Sequence, residues 1–203
     1  KKDAGGTAIW RRVVCSPEPK DILEIDTIEY LMCRKNIIPV VAGGGGIPVR
    51  RVMPTVLGNE EVYECNHGVR FTRFIARGAA PIQVHTGIEA VVDKDLSTSL
   101  LGTLLLERAR QRKEPIEAIF TIFTNVDGIK LNYQKPDQID LRQIKLNALK
   151  ELYKQPGNFP DGSIAPKVQA AIRFLESGGS TVYITTADQY LETLRGEKGT
   201  TIT

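Results

Sequence analysis

Short apolar runs alternate with amphipathic helical stretches along most of this chain. Apolar residues spaced three or four positions apart predict helices, and short continuous apolar runs predict buried strands. The predicted helices cover 21–34, 95–112 with Asp95 as N-cap, 141–154, 167–177 and 188–195, and the predicted strands cover 37–42, 88–92, 118–124 and 181–185, before a polar tail. This alternation predicts an α/β fold, a doubly wound and mainly parallel sheet with helices on both faces.

Four consecutive glycines, Gly43, Gly44, Gly45 and Gly46, follow the first predicted strand in the sequence VVAGGGGIPV. Pro39 within that strand argues against a central position in the sheet, because proline has no N–H for the ladder. Glycine loses more backbone freedom on folding than any other residue, so a cluster of glycines is costly unless it serves a structural or chemical purpose. Close approach of the backbone to a phosphate is one such purpose. The loop matches neither G-x-G-x-x-G nor a P-loop, and a flexible turn is the structural alternative.

The composition is that of an ordinary globular protein: 203 residues, 41% hydrophobic and 25% charged, enough for a single domain over 1–203. A formal net charge of +3 gives no support for nucleic acid as a partner. The three cysteines are widely spaced and odd in number, which favours a reducing compartment, the cytoplasm, over a disulfide framework. The sequence shows neither an apolar run of membrane-spanning length nor a signal peptide at its start, so no membrane partner is expected.

Two lysines stand where helices are predicted to begin. Lys94 lies between Asp93 and Asp95 after a predicted strand, and Lys167 follows Pro166 at a predicted helix start. A helix N-terminus favours anions through its dipole and free N–H groups, so both lysines are candidate phosphate ligands. Solvated surface lysines and a helix-capping aspartate are the structural alternatives.

Several motifs in a fixed order identify a resemblance to a known family. They are WRRVVCSPEP (10–19), VVAGGGGIPV (40–49), GIEAVVDKDLSTSLL (87–101), TNVDGIKLNYQKP (124–136), GNFPDGSIAPKVQAAIRFLE (157–176) and GEKGTTI (196–202). Together they resemble the carbamate kinases, members of the amino-acid kinase family, over nearly the whole chain apart from 50–86. The resemblance implies reversible phosphoryl transfer between ATP and carbamate, usually in the ATP-forming direction of arginine catabolism.

The resemblance also implies roles for particular residues. Lys94 would touch the transferred phosphate, Asp95 would orient the lysines, and Lys167 would bridge the nucleotide phosphates. The four glycines would approach the transferring phosphate and the carbamoyl group. Nucleotide-binding residues implied in this way are Asn125, Val126, Asp127, Tyr133, Lys135, Ala165 and Pro166.

The expected ligands are ATP or ADP, Mg²⁺ that offsets the nucleotide charge, and carbamate or carbamoyl phosphate; the family resemblance also implies a homodimer. No protein metal site is expected, since Cys65 and His67 lack two further ligands at a workable spacing. The alternatives are another amino-acid kinase or a truncated, non-catalytic nucleotide-binding relative. Because the family's N-terminal glycine loop has no counterpart in these residues, the domain is expected to be incomplete at its N-terminus, and the 203-residue chain alone to bind ADP weakly without turnover.

Three departures from the family pattern and one long connection stand out. The family usually has aspartate at Asn125, proline at Cys15 and glycine at Ala165. The stretch 50–86 exceeds the family's connection and is predicted to be an inserted hairpin or flap that turns at Asn66–His67–Gly68. A basic-aromatic binding face is the alternative, formed by Tyr63, Phe71, Phe74, Arg70, Arg73 and Arg77.

Overall fold

A computed structural model describes residues 13–75, 82–159 and 164–203. These residues form two compact units, the first from 13–17 and 47–92 and the second from 18–46 and 93–203. Three predicted features lie partly outside the described residues: the start of WRRVVC, Arg77 in the long connection, and positions 160–163 of the loop before Lys167. The single-domain organisation over 1–203 stays a prediction.

The first unit consists of two small antiparallel sheets. Its elements are β1 (Val49–Val52), β2 (Thr55–Leu57), β3 (Glu60–Glu64), a 3₁₀ turn (Asn66–Gly68), β4 (Arg70–Phe74) and β5 (Val84–Gly87). Strand β1 pairs with β5, and β2, β3 and β4 form a three-stranded meander. The hairpin that turns at Asn66 is therefore confirmed, whereas its status as an insertion stays a prediction.

The predicted strand over 88–92 is wrong. Only a single parallel bridge, between Cys15 and Ala90, forms there. Strand β5 ends at Gly87 instead, with Gly87 opposite Val49 of β1.

The second unit carries the helices and the largest sheet. Its elements are α1 (Ile25–Met32), α2 (Lys94–Gln111), β6 (Ile119–Phe123), β7 (Ile129–Leu131), β8 (Ile139–Leu141), β9 (Gln143–Ile144), α3 (Leu146–Lys154), α4 (Ala165–Glu176), β10 (Thr181–Thr185), a 3₁₀ turn (Ala187–Gln189), α5 (Tyr190–Leu194) and β11 (Thr200–Ile202). The sheet order is β6-β10-β11-β9, with β6 and β10 parallel, β11 and β9 parallel, and β10 and β11 antiparallel. Strands β7 and β8 form a separate antiparallel ribbon.

Side-chain alternation along β10 places helices on both faces of this sheet. Val182 and Ile184 are fully buried in the core that also contains Leu106 of α2 and Phe174 of α4. Tyr183 points to the opposite face, where its ring meets Tyr190 of α5 at 6.5 Å. The predicted α/β class with helices on both faces is confirmed.

Three further predictions about the secondary structure are wrong: one predicted strand is absent, one strand was not predicted, and one helix begins later than predicted. Residues 37–42 form no strand: Pro39 has no N–H to give to a ladder, and Ile38 and Val40 are 91% and 94% exposed. The expected polar tail contains β11, where Ile202 is fully buried, because β11 has β10 on one side and β9 on the other. Helix α3 begins at Leu146, since the residues before it belong to β8 and β9.

Candidate active site

The N-terminus of α2 is capped by Asp93 and not, as predicted, by Asp95. The Asp93 carboxylate accepts hydrogen bonds from the backbone N–H groups of Asp95 at 2.8 Å and Leu96 at 3.3 Å. This arrangement satisfies two of the free donors in the first turn. The side chain of Asp95 therefore points elsewhere and is available for other partners.

Asp95 lies between the two lysines singled out in the sequence. The Nζ atom of Lys167 donates to Oδ2 of Asp95 at 2.6 Å, and Nζ of Lys94 lies 3.6 Å from the same oxygen. The side chains of Asp95 and Lys167 are only 9% and 10% exposed, whereas that of Lys94 is 57% exposed. One carboxylate thus holds a buried ammonium group and is close to a second one that faces solvent.

Helix α4 presents Lys167 from its first turn. Pro166 occupies that turn, where its missing N–H costs nothing, and Ala165 before it is buried. Further along, the buried hydroxyl of Ser99 on α2 donates to the carbonyl of Ala170 on α4 at 2.9 Å. This bond helps to fix α2 and α4 side by side.

The four glycines form a tight turn with unusual backbone angles. Gly43, Gly45 and Gly46 have φ of +45°, +130° and +86°, and the N–H of Gly45 donates to the carbonyl of Ala42 at 2.8 Å. Added Cβ atoms on Gly43, Gly44 or Gly46 would meet no atom of the described residues within 4 Å, so the backbone at these three positions is open on that side. The Ser97 hydroxyl of α2 donates to the carbonyl of Gly45 at 2.8 Å, which brings the turn to the helix that carries Lys94 and Asp95.

Asn125, Val126 and Asp127 follow β6, and Tyr133 and Lys135 lie in the exposed turn between β7 and β8. The Asp127 carboxylate pairs with Lys130 at 2.8 Å and with Arg142 at 3.6 Å. The role of these five residues as a wall around adenosine stays a prediction.

Lys130 of β7 pairs with two carboxylates, that of Asp127 before the strand and that of Asp140 on β8. Its Nζ atom lies 2.8 Å from both Asp127 and Asp140, and its hydrogen bonds lower the pKa of each carboxyl group. Burial opposes the charge of Lys130, but the same hydrogen bonds outweigh it, so the pKa of Lys130 is raised. The ribbon is joined to β11 because the Ile129 N–H donates to the Thr200 hydroxyl at 2.7 Å.

A cavity of about 450 Å³ lies beside the start of α4, between the end of α3 and the loop that follows it. Its lining residues are Tyr153, Lys154, Gln155, Pro156, Gly157, Phe159 and Ala165. The rings of Tyr153 and Phe159 stack with centroids 6.1 Å apart. Sequence reasoning named Ala165 but missed Tyr153 and Phe159. The sequence signal for this aromatic pair is weak: the two residues flank the Gln155-Pro156-Gly157 turn.

The chain is similar to curated carbamate kinases. The chain is 39% identical over 194 residues to carbamate kinase from Thermoplasma acidophilum, and the match covers 95% of this chain and 50% of the relative. It is 38% identical over 204 residues to carbamate kinase 2 from Staphylococcus aureus, which covers 100% of the chain and 51% of the relative. The chain belongs to the carbamate kinase family. It spans about half the length of the curated carbamate kinases it matches. No family model matches it.

Solved carbamate kinase structures share the fold of this chain. Carbamate kinase from Giardia lamblia bound to AMP-PNP matches with a TM-score of 0.70 at 33% identity, over 100% of this chain and 50% of that chain. A further structure of Giardia carbamate kinase matches with a TM-score of 0.66 at 32% identity, over 100% and 54%. The predicted amino-acid kinase fold is confirmed.

Residues 13–75, 82–159 and 164–203 contain no group of three or more His, Cys, Asp or Glu side chains that could hold a metal ion. They also contain no helix long and apolar enough to cross a bilayer.

Proposed function

We propose that this chain forms the nucleotide-binding part of a carbamate kinase, which transfers a phosphoryl group reversibly between carbamoyl phosphate and ADP. The observation that carries the proposal is the convergence of Lys94, Asp95 and Lys167 at the starts of two adjacent helices. Family membership supports it, because the matched relatives are carbamate kinases.

Phosphoryl transfer requires fixed positive charge more than covalent help from the protein. As the phosphoryl group leaves its donor oxygen, negative charge spreads over its equatorial oxygens. Lys94, which is exposed, is available to contact that group, while Lys167 would bridge the nucleotide phosphates from the start of α4. Asp95 would hold both ammonium groups in place, so little reorganisation would be needed during the reaction.

The glycine turn and the cavity beside α4 supply the remaining parts of the proposed site. The open backbone of Gly43 and Gly44 allows close approach of an oxyanion or a carbamoyl group. The cavity lies next to Ala165, two residues before Lys167, and Tyr153 and Phe159 are among its lining residues.

Mg²⁺ enters this proposal with the nucleotide. The described residues offer no cluster of metal-ligating side chains, and Asp95 is already engaged by two lysines. Nucleotide phosphates commonly hold Mg²⁺ together with water, and the ion offsets their negative charge. No step assigned to the protein's residues depends on it.

The compartment, the oligomeric state and the direction of the reaction are further parts of the proposal. By resemblance to the family, we propose a cytoplasmic homodimer that works in the ATP-forming direction of arginine catabolism. The three free cysteines agree with a reducing compartment. Light scattering coupled to size-exclusion chromatography would measure the mass of the assembly, and a monomer would contradict the dimer.

ATP formation from carbamoyl phosphate and ADP tests the proposal in the full-length protein that contains this chain. Replacing Lys94 or Lys167 by alanine should lower kcat at least about 100-fold, the effect typical of losing one electrostatic contact with the transition state. Arginine should not rescue either position, because a planar guanidinium does not replace a compact ammonium group. Lys150→Ala is the matched control, since Lys150 pairs with Glu176 on the surface of α3 and α4.

Two results would contradict the proposal. An unmodified protein that forms no ATP would exclude the activity, and near-normal turnover in both lysine variants would exclude the assigned residues. The 203-residue chain, with its intact mass verified, should show no turnover in the same assay and only weak ADP binding in a separate equilibrium titration. Robust ATP formation there would show that the chain is sufficient by itself.

A further inference from the structure

Ser97 is a buried polar residue to which the charge arrangement of the site gives no role. Only 5% of its surface is exposed, and it lies two residues beyond Asp95 in α2. Its hydroxyl donates to the carbonyl of Gly45 at 2.8 Å, across 52 positions of sequence. A buried hydroxyl needs a hydrogen-bond partner, and this one has found it in the backbone of the glycine turn.

The bond holds a particular peptide plane of the turn. The Gly45 carbonyl and the Gly46 N–H belong to one rigid peptide unit, so fixing one atom fixes the direction of the other. On its other side this unit is held by the Gly46 N–H, which donates to the carbonyl of Ala42. The plane is therefore restrained by α2 and by the turn itself.

Ser97 lies on the same helix as the charged residues Lys94 and Asp95. Ser97 lies three residues after Lys94, so the two side chains leave neighbouring parts of the same helical face. One helix thus carries the exposed ammonium group, the carboxylate of Asp95 and the hydroxyl that holds the glycine turn. In the same turn, a Cβ added to Gly43 or Gly44 would meet no atom of the described part of the chain within 4 Å.

We propose that Ser97 is a positioning residue for phosphoryl transfer, which fixes the Gly43–Gly46 turn at the distance from Lys94 that the transferring group requires. This inference rests on the proposed function. Ser97 acts through the turn and need not touch substrate. Small errors in the placement of reacting groups are costly, and displacement by about 1 Å is enough to lower rates about 100-fold.

The test compares Ser97→Ala with a matched variant, Ser99→Ala, in the full-length protein that contains this chain. Ser99 is also a buried α2 serine with a 2.9 Å bond to a carbonyl, but its partner is Ala170 of α4. Ser97→Ala should lower kcat/KM for carbamoyl phosphate about 10- to 100-fold and leave KM for ADP within about twofold. Hydrogen–deuterium exchange across 40–48 should become faster in Ser97→Ala and stay unchanged in Ser99→Ala.

A purely structural role for Ser97 predicts a different pattern. Both variants would then lower Tm by similar amounts. Neither would change kcat/KM for carbamoyl phosphate selectively, and hydrogen–deuterium exchange in the turn would not become faster. This result would overturn the inference. If Ser97→Ala does not fold, Ser97→Cys replaces it, because a thiol fills similar space but donates only weakly. An unmodified protein without ATP formation would overturn the proposed function and this inference together, whereas an active protein with unaffected Ser97 variants would overturn this inference alone.

Discussion

Replacing Asp95 by alanine would leave a buried ammonium group without its carboxylate. At an effective dielectric constant of about 20, two unit charges 2.6 Å apart attract each other by about 6 kcal/mol, and desolvation of both groups offsets much of that attraction. Removing one partner of a buried pair still costs about 3–5 kcal/mol, because the other charge stays desolvated. Lys94 contributes about 1 kcal/mol at most, since its side chain is 57% exposed and solvated.

Thermal and urea unfolding followed by circular dichroism at 222 nm would measure this cost. For a chain of this length, 3 kcal/mol corresponds to a fall in Tm of about 10 °C. A double-mutant cycle of Asp95→Ala with Lys167→Met should give a coupling free energy of at least about 2 kcal/mol. The control cycle, with Lys94→Met in place of Lys167→Met, should give less than about 1 kcal/mol.

A coupling energy below about 0.5 kcal/mol between Asp95 and Lys167 would refute the reasoning. It would mean that the pair is solvated in solution and that the carboxylate does not hold Lys167 in place. Equal coupling to both lysines would refute the part of the reasoning that assigns the larger energy to burial.

Two further predictions concern the β7–β8 ribbon and the glycine before it. Hydrogen bonds from Lys130 lower the pKa of Asp127 and Asp140, so their contribution to stability is present above the pKa of an unfolded aspartate, about 3.9, and is lost as the pH falls below it. Amide protection factors across 127–141, which correct for the intrinsic pH dependence of exchange, should therefore fall below about pH 4. Protection factors that stay constant between about pH 6 and pH 3 would contradict this expectation. Gly128→Ala should lower stability by about 2 kcal/mol or more, because the new Cβ would lie 2.7 Å from the Thr200 hydroxyl at φ +137°. Tm measurements with Gly157→Ala as control separate this clash from backbone strain. The control residue also has a positive φ, +89°, but a Cβ there meets no atom of the described residues within 4 Å. Equal effects of the two substitutions would exclude the clash.

The sequence was sufficient for features that depend on local pattern. The α/β class, β6, β10 and the position of α4 follow from apolar spacing, because each of these elements buries apolar side chains in the core. Leucine spacing also located α2, although the residues that α2 buries are Asp95, Ser97, Ser99, Leu106 and Ala109. The hairpin at Asn66 follows from turn residues between two strands. The pairing of Lys94, Asp95 and Lys167 at one place followed from the family resemblance, and the structure supplied the geometry.

The features that sequence reasoning missed depend on contacts distant along the chain. Strand β11 is polar at two of its three positions, and only its place between β10 and β9 makes Thr200 and Ile202 buried. Asp93 caps α2, whereas Asp95 pairs with Lys167, which lies 72 positions away along the chain. Ser97 has no local signal at all, since its partner is a backbone carbonyl of the glycine turn.

The position of β11 in the sheet has a consequence for the order of folding. Strands β9 and β10 both precede β11 in sequence, but β11 lies between them in the sheet, so β9 joins this sheet only by pairing with β11. Pairing of β9 with β11 closes a loop of more than fifty residues, and the entropy of that closure must be met before the new contacts stabilise the sheet. We therefore expect the parallel pair β6–β10 and its helices to form first, and β9 to join the sheet late, in a step whose rate responds to substitutions at Ile202.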